Sequence, residues 1–340
     1  MLYVPRTPAA PPPPGATLRL VTGNGGSFWE QVQLLRAVGR DNLDVFFAVG
    51  YSAPLALHRP TVVLVHDMAF EAHPEWFRWR EGARRRFFTR KSTERASLVL
   101  TVSEFSRREI VSRLGLPEAR VRCVYPGVEC PGPTDVSEPN REPLVLYVGS
   151  VFNRRRLPDL IRAFKLVAIR VPGARLEIVG DNRTHPHEDL KAIATNEGLA
   201  ERIGIRSYVP DAELAGLYRR ASAFAFLSEY EGFGHPPLEA LTCGVPGVLL
   251  DTGVARETCG DAALYVKRGD LQATAAALTS LLVDPAVRKR ILSRAPTVLG
   301  RYSWKDAASK TLEALESVFN SAGPHPRDGA ARDPRRSSGR

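Results

Sequence analysis

Short apolar runs alternate with helical patterns along most of this chain. In the first half, Asp44-Val45-Phe46-Phe47-Ala48-Val49, Thr61-Val62-Val63-Leu64-Val65 and Ser97-Leu98-Val99-Leu100-Thr101-Val102 read as strands. In the second half, strands over Leu144 to Val148, Leu176 to Val179, Ile203 to Ser207 and Ala221 to Leu227 are interleaved with helices over Leu160 to Ile169 and Leu190 to Asn196. That alternation is the pattern of an α/β fold with parallel sheets. It is interrupted once, from Cys130-Pro131-Gly132-Pro133 through Pro139 and Pro143, where Pro and Gly crowd out apolar residues. The break predicts a domain over residues 1–130, a linker over 131–142 and a second domain over 143–300. Beyond Ser321 almost nothing is apolar, and residues 321–340 are expected to be disordered. Ligands of doubly wound sheets bind at the carboxyl ends of the strands, which is where chemistry is sought.

After the strand Ala221 to Leu227 comes Glu231-Gly232-Phe233-Gly234-His235-Pro236-Pro237-Leu238-Glu239, then Ala240 and Cys243-Gly244-Val245-Pro246. Pro236 and Pro237 suit the first turn of a helix, where the missing N–H would be unbonded anyway. Gly232 and Gly234 let backbone approach a ligand closely, and a helix N-terminus attracts phosphate. The pattern predicts an anion pocket with the carboxylates of Glu231 and Glu239 placed to accept hydrogen bonds from sugar hydroxyls. A bare pair of glutamates at this spacing would mean little; the Gly-Phe-Gly inside it and the Gly-x-Pro after it make the pattern specific.

E-x7-E with these additions resembles the donor-site motif of retaining GT-B glycosyltransferases of the GT4 type. The resemblance covers roughly residues 2 to 318 and is strongest from 144 to 265. It implies two doubly wound, Rossmann-like domains facing across a cleft, with a C-terminal helix over 301–320 crossing back to the first domain. In the family the first Glu contacts the transferred sugar and the second the ribose, roles that fall to Glu231 and Glu239. The strand and loop Tyr147-Val148-Gly149-Ser150-Val151-Phe152-Asn153-Arg154-Arg155-Arg156 match the diphosphate-binding segment. Arg155 takes the place of the family's Lys, and Ser150 stands where an earlier Arg often lies. Arg154 and Arg155 are therefore the expected pair, since fixed guanidinium groups meet a diphosphate with bidentate hydrogen bonds. His66, in His66-Asp67 after the strand Thr61 to Val65, corresponds to a His that faces the donor sugar. The reading without function is a helix cap by Asp67 with His66 filling space. Backbone around Val209 corresponds to the wall of the nucleotide base. Ser103-Glu104-Phe105-Ser106-Arg107 reads as a helix cap. Arg256-Glu257 matches the closing motif, with Arg256 where Pro is usual.

The implied activity is transfer of a hexose from a nucleotide diphosphate sugar to a hydroxyl of a glycan or lipid-linked saccharide, with retention and without a cofactor or metal. Pockets for UDP, GDP and dTDP donors share these motifs; family habit suggests GDP-mannose. Resembling sequences begin with a further strand, Gly-rich loop and helix, so Leu2-Tyr3-Val4 reads as their second strand and the first unit as missing. Thr22-Gly23-Asn24-Gly25-Gly26 reads as a loop tip rather than that Gly-rich loop. A catalytically impaired sugar-nucleotide-binding protein is thus the principal alternative. A glycoside hydrolase would also use two carboxylates, but the Gly-rich turn and basic cluster point to a phosphorylated donor.

Composition narrows the partners. No run of the 340 residues reaches the ~18 apolar positions of a membrane span, and Met1 to Arg6 lacks the layout of a secretion signal. The four cysteines, Cys123, Cys130, Cys243 and Cys259, show no metal-like spacing and read as reduced thiols of a cytoplasmic protein. The net charge is +10, and from Glu75 to Lys91 seven Arg or Lys stand against two Glu among Trp76, Phe77, Trp79, Phe87 and Phe88. That stretch suits either the anionic inner face of a membrane or a solvated helix with aromatic residues in the core. Nucleic acid is disfavoured because no recognition motif accompanies the charge.

Overall fold

The computed structural model describes residues 1–130 and 141–321. Most of the expected linker and nearly all of the expected disordered tail lie outside the described residues. The chain forms two parallel α/β layers. In the first domain, β3 (Phe46–Ala48), β4 (Thr61–Leu64), β5 (Leu98–Thr101) and β6 (Val121–Cys123) pair in the order β3-β4-β5-β6. In the second, β7 (Glu142–Val148), β8 (Arg175–Val179), β9 (Ile203–Arg206), β10 (Ala221–Phe226), β11 (Gly247–Leu250) and β12 (Ala263–Val266) pair in the order β12-β11-β10-β7-β8-β9. The order reverses between β7 and β10, so the loops after these two strands open on the same crevice.

The central strands read as continuous apolar runs because helices cover both faces of a parallel sheet. All six residues of β10 and all four of β5 are buried. The Leu157–Arg170 helix covers the second sheet with Leu157, Leu160, Ile161, Phe164 and Val167, spaced to form one stripe. Each such side chain taken fully out of water contributes about 1.5–3 kcal/mol. In the first domain, Val63, Val65, Val99, Phe70 and Ile110 form the corresponding core. The last helix, Trp304–Ser321, leaves the second domain and lays Ala314 and Val318 on Val62, Leu98 and Leu100 of the first sheet.

The amino-terminal segment stands apart. β1 (Leu2–Val4) and β2 (Leu18–Leu20) pair only with each other, and Tyr3 is tied to the domain by a hydrogen bond to Asp41 of 2.6 Å. The glycine-rich stretch before residue 27 is not a loop tip. Gly25 (φ 72°) and Gly26 (φ 77°) turn the chain into a helical segment composed of Gly26–Phe28, a π-helical stretch Trp29–Leu34 and Leu35–Arg40. Positive φ is what made glycine necessary there.

The cysteine reading also needs correction. Cys130 and Cys243 are joined as a disulfide with their Cα atoms 5.4 Å apart, while Cys123 and Cys259 are free. Bridging distance depends on the fold, and a sequence separation of 113 gives no hint of it. The bond anchors the end of the first domain to the C-terminal end of the His235–Thr242 helix. No helix among the described residues is long and apolar enough to cross a membrane.

Candidate active site

Two loops meet at the centre of the molecule: Leu227 to Gly234 after β10, and His66-Asp67 after β4. Gly232 is the point of contact. A Cβ there would collide with the His66 carbonyl oxygen, so close packing between the domains requires the glycine. The Gly232 carbonyl accepts hydrogen bonds from Ser103 and Ser106, and Ser106 also reaches the His66 carbonyl at 3.2 Å. Ser103 caps the Glu104–Leu114 helix as its sequence predicts, accepting from Ser106 N at 3.0 Å. Its second bond, across the domain boundary, left no local signal.

Glu257 makes a similar bridge. Its carboxylate, on the second-domain Gly253–Cys259 helix, accepts from the backbone N–H groups of Glu104 and Phe105 at 2.7 Å each and from the Tyr125 hydroxyl at 3.1 Å. An anion at those free N–H groups also meets the positive end of the helix dipole. Tyr230 completes the seam: it is buried, packs edge-on against His73, Trp76 and Phe105, and accepts from Met68 N at 3.3 Å.

The Glu231 carboxylate is held from its own domain. Arg155 Nε donates to it at 3.0 Å and Ser228 Oγ at 2.7 Å, while Arg154 stands 3.9 Å away. Arg155 is only 8% exposed, lies 4.8 Å over the Phe226 ring and donates through Nη1 to Tyr147 at 3.3 Å. Burial works against its charge, but Glu231 and Tyr147 outweigh that and hold the guanidinium above its usual range. Gly149, at φ 134°, leaves the space Arg155 occupies, since a Cβ there would collide with the guanidinium. The Arg155 Nη2 group has no partner among the described residues.

The His235–Thr242 helix starts beside this pair. Gly234 is its N-cap at φ 90°, with nothing within 4 Å of where a Cβ would stand, so conformation rather than space requires the glycine. A cavity of about 430 Å³ is lined by His66, Arg155, Glu231, Gly232, Gly234 and His235 among others. His66 Nε2 lies 3.2 Å from the Val49 carbonyl. Burial lowers the His235 pKa and so favours the neutral ring, which stays 3.1 Å from the Gly127 carbonyl.

Phe233 also lines this cavity, and its buried ring packs against Tyr125, Tyr302 and His235. The Val209 side chain is in the second core. Ser150 contributes its carbonyl to the Tyr147 hydroxyl at 3.1 Å. Glu239 sits one turn into its helix, half-buried, and its carboxylate has no hydrogen-bond partner among the described residues. Burial raises its pKa. The Arg154–Arg155 pair is split between cavities: Arg154 donates through Nε to the Tyr230 carbonyl at 3.1 Å, lies over the Phe152 ring at 4.5 Å and lines a separate cavity of about 540 Å³. Asp67 lines both cavities. Its carboxylate accepts from Ala69 N at 2.8 Å and from the Tyr51 hydroxyl at 2.9 Å; the N-cap of the Ala69–Ala72 helix is Met68, so Asp67 is not the helix cap expected of it. No cluster of His, Cys, Asp and Glu among the described residues could hold a metal ion.

Comparison with known proteins agrees with this architecture. Residues 134–298 match the family described as Glycosyl transferases group 1, and residues 3–130 match Glycosyltransferase Family 4. The O-antigen chain mannosyltransferase B of Escherichia coli is 28% identical over 296 residues, spanning 82% of this chain and 75% of that protein. A GDP-mannose-dependent phosphatidylinositol monomannoside mannosyltransferase of Mycolicibacterium smegmatis is also 28% identical, over 83% of this chain and 79% of its own length. Among solved structures, Anabaena HepE in complex with UDP and glucose superposes with a TM-score of 0.71 at 22% identity, covering 88% of this chain and 86% of that one. WaaG, a glycosyltransferase involved in lipopolysaccharide biosynthesis, gives 0.67 at 15% identity over the same shares. At these identities the structural likeness speaks for the fold.

Proposed function

Since the chain belongs to the group 1 glycosyl transferases of GT-B fold, we propose that it transfers a hexose from a nucleotide diphosphate sugar to a hydroxyl of a glycan or lipid-linked saccharide, with retention of anomeric configuration. The observation that carries this reading is the convergence of Arg155, Glu231, His66 and a helix N-terminus on one interdomain cavity. Breaking the glycosidic C–O bond builds negative charge on the diphosphate. Donors already fixed where that charge appears are usually the largest catalytic contribution. Arg155 suits this role because its Nη2 group is free while its other bonds hold it still. The backbone N–H groups that open the His235–Thr242 helix suit the same phosphates.

Glu231 orients the sugar and His66 faces it from the other domain. Glu239 accepts from the ribose: a half-buried carboxylate without a protein partner is a ready acceptor for a ligand hydroxyl. The departing phosphate takes the acceptor's proton on the same face of the ring, so no side chain acts as base and no metal is required. The mannosyltransferase relatives favour GDP-mannose as donor.

The Trp79–Arg95 helix would bring the enzyme to its acceptor. Its outward face carries Trp79, 76% exposed, and Phe87, 53% exposed, on the same side as Arg80, Arg84 and Lys91. Indole and phenyl rings among cations suit an anionic bilayer surface. Co-sedimentation with anionic vesicles, lost on Trp79→Ser with Phe87→Ser, checks this; equal binding to neutral vesicles refutes it.

The transfer reading is tested by melting the chain with a panel of nucleotide diphosphates and nucleotide sugars. One donor should raise the midpoint, and Glu239→Ala should abolish the shift. No shift with any donor would overturn the reading. A shift without turnover on any acceptor would leave a sugar-nucleotide-binding protein.

A further inference from the structure

The cavity of about 540 Å³ on the Arg154 side is of the size that holds a small ligand. It is walled by both domains: Arg78 and Arg85 come from the first, Arg154 and Arg183 from the second. Among the described residues two carboxylates, Asp67 and Glu81, line it against these four cations; Arg183 is also paired with Asp181 at 2.8 Å in an exposed pair, and Arg154 stands 3.9 Å from Glu231. Asp67 is already engaged by Tyr51 and Ala69 N, and Glu81 by Arg85 at 2.8 Å in an exposed pair of little energetic value. Arg78 has no partner among the described residues.

Two of the cations are propped in place. Arg154 lies over Phe152 at 4.5 Å and Arg85 over Phe77 at 5.8 Å, each guanidinium resting on a ring of its own domain. Tyr51, between them, is held at φ 60°, in the left-handed region that a non-glycine residue adopts only under constraint. It is shared, with Phe70 and Arg85, by a further cavity of about 300 Å³. The exposed pairs Arg85–Glu81 and Arg183–Asp181 are weak enough for both guanidiniums to turn to an anion lying between the two domains.

Resting on the transfer reading, we propose that this cavity is the acceptor subsite and that the acceptor saccharide carries an anionic group, a phosphate or a carboxylate, bound between Arg78 and Arg85 of the first domain and Arg183 of the second. The aromatic wall of Trp76, Phe77 and Phe152 suits the apolar face of a sugar ring. The group distinguishes true acceptors from neutral saccharides of the same shape and draws the two domains together.

The test is calorimetric binding of a hexose monophosphate, the matching hexuronate and the matching methyl hexoside, with and without nucleoside diphosphate filling the other cavity. One anionic sugar should bind at least about tenfold more tightly than the neutral one, as charge-assisted hydrogen bonds require. Preference for the phosphate or for the uronate identifies the source of the charge. The advantage should vanish in Arg78→Gln with Arg183→Gln, two exposed changes, and shrink with added salt. Equal binding of all three sugars would overturn the proposal, as would an advantage that survives in the double variant. Binding of inorganic phosphate alone as tightly as the sugar phosphate would show an anion site without a saccharide subsite and refute it also. Nucleotide-sugar binding separates the two readings: if donors bind and transfer proceeds equally to neutral and anionic sugars, only this inference falls. If no donor binds, the transfer reading itself fails.

Discussion

On one side of the Glu231 loop a buried guanidinium is locked by a carboxylate, a phenol and an aromatic ring, with one amino group left over. On the other side the exposed guanidiniums of Arg78, Arg85 and Arg183 share a wide cavity with Arg154, whose side chain is 15% exposed. Arg155 and Arg154 are adjacent in the chain and stand on opposite sides of this divide. The difference teaches what each side can do. Rigid, desolvated charge suits a charge that develops during reaction at a fixed point. Solvated, adjustable charge suits recognition of a ligand that arrives already charged.

The sharpest way to break the comparison is to truncate the two arginines separately. Arg155→Ala should lower kcat by roughly a hundredfold to a thousandfold. It should also lower stability, because Glu231 loses its hydrogen-bonded cation and keeps only Ser228 and the more distant Arg154. Arg154→Ala should leave donor affinity nearly unchanged and act instead on the KM for acceptor, since Arg154 lines the other cavity. Equal loss of donor affinity in both variants would show that the two sides are one site. Glu231→Ala belongs with Arg155: kcat should fall at least as much as donor affinity, and weaker donor binding at unchanged kcat would contradict its role.

Two glycines in the same loop sharpen the comparison at smaller scale. Gly232→Ala drives a methyl group into the His66 carbonyl and should cost about 3 kcal/mol, read by thermal melting, with a loss of activity as the domains shift. Gly234→Ala meets no neighbour and should cost about 1 kcal/mol from its left-handed φ alone. Gly234→Asn, which tolerates that conformation, should recover part of it. A Gly234→Ala as damaging as Gly232→Ala would mean that the helix start, not the domain contact, governs this loop.

The smallest effect expected is the pH response of Glu239. Burial raises its folded pKa above the unfolded value, so the folded state retains the proton longer. Its contribution to stability is complete below the unfolded pKa and is lost as pH rises through the folded one. The unliganded protein should therefore lose some stability just above the usual carboxylate range, while donor affinity rises over the same interval as the acceptor carboxylate forms. Glu239→Gln should flatten the stability curve; an unchanged curve would remove Glu239 from the account.

The second domain was the more legible half. Its buried strands announce themselves as unbroken apolar runs, and Gly234-His235-Pro236-Pro237 marks a helix start through φ and a missing N–H. The first domain contributed His66 and the Ser103 cap, but not Tyr51 at its constrained φ or the serine bonds to Gly232. Aromatic residues of the basic stretch were read as one group, yet Trp76 and Phe77 turn into the cleft while Trp79 and Phe87 face outward. The helix begins between the two pairs, and a change of backbone direction over a few residues separates them.

The sequence by itself determined the strands, the helix starts and the carboxylates on offer, because these follow from backbone chemistry within a few residues. Only the tertiary structure decided that Arg154 and Arg155 part company, that Gly232 meets His66, that Glu257 caps a helix of the other domain and that Cys130 finds Cys243. Each of those facts is a distance or direction set by how the two domains pack, and local pattern contains no measure of that.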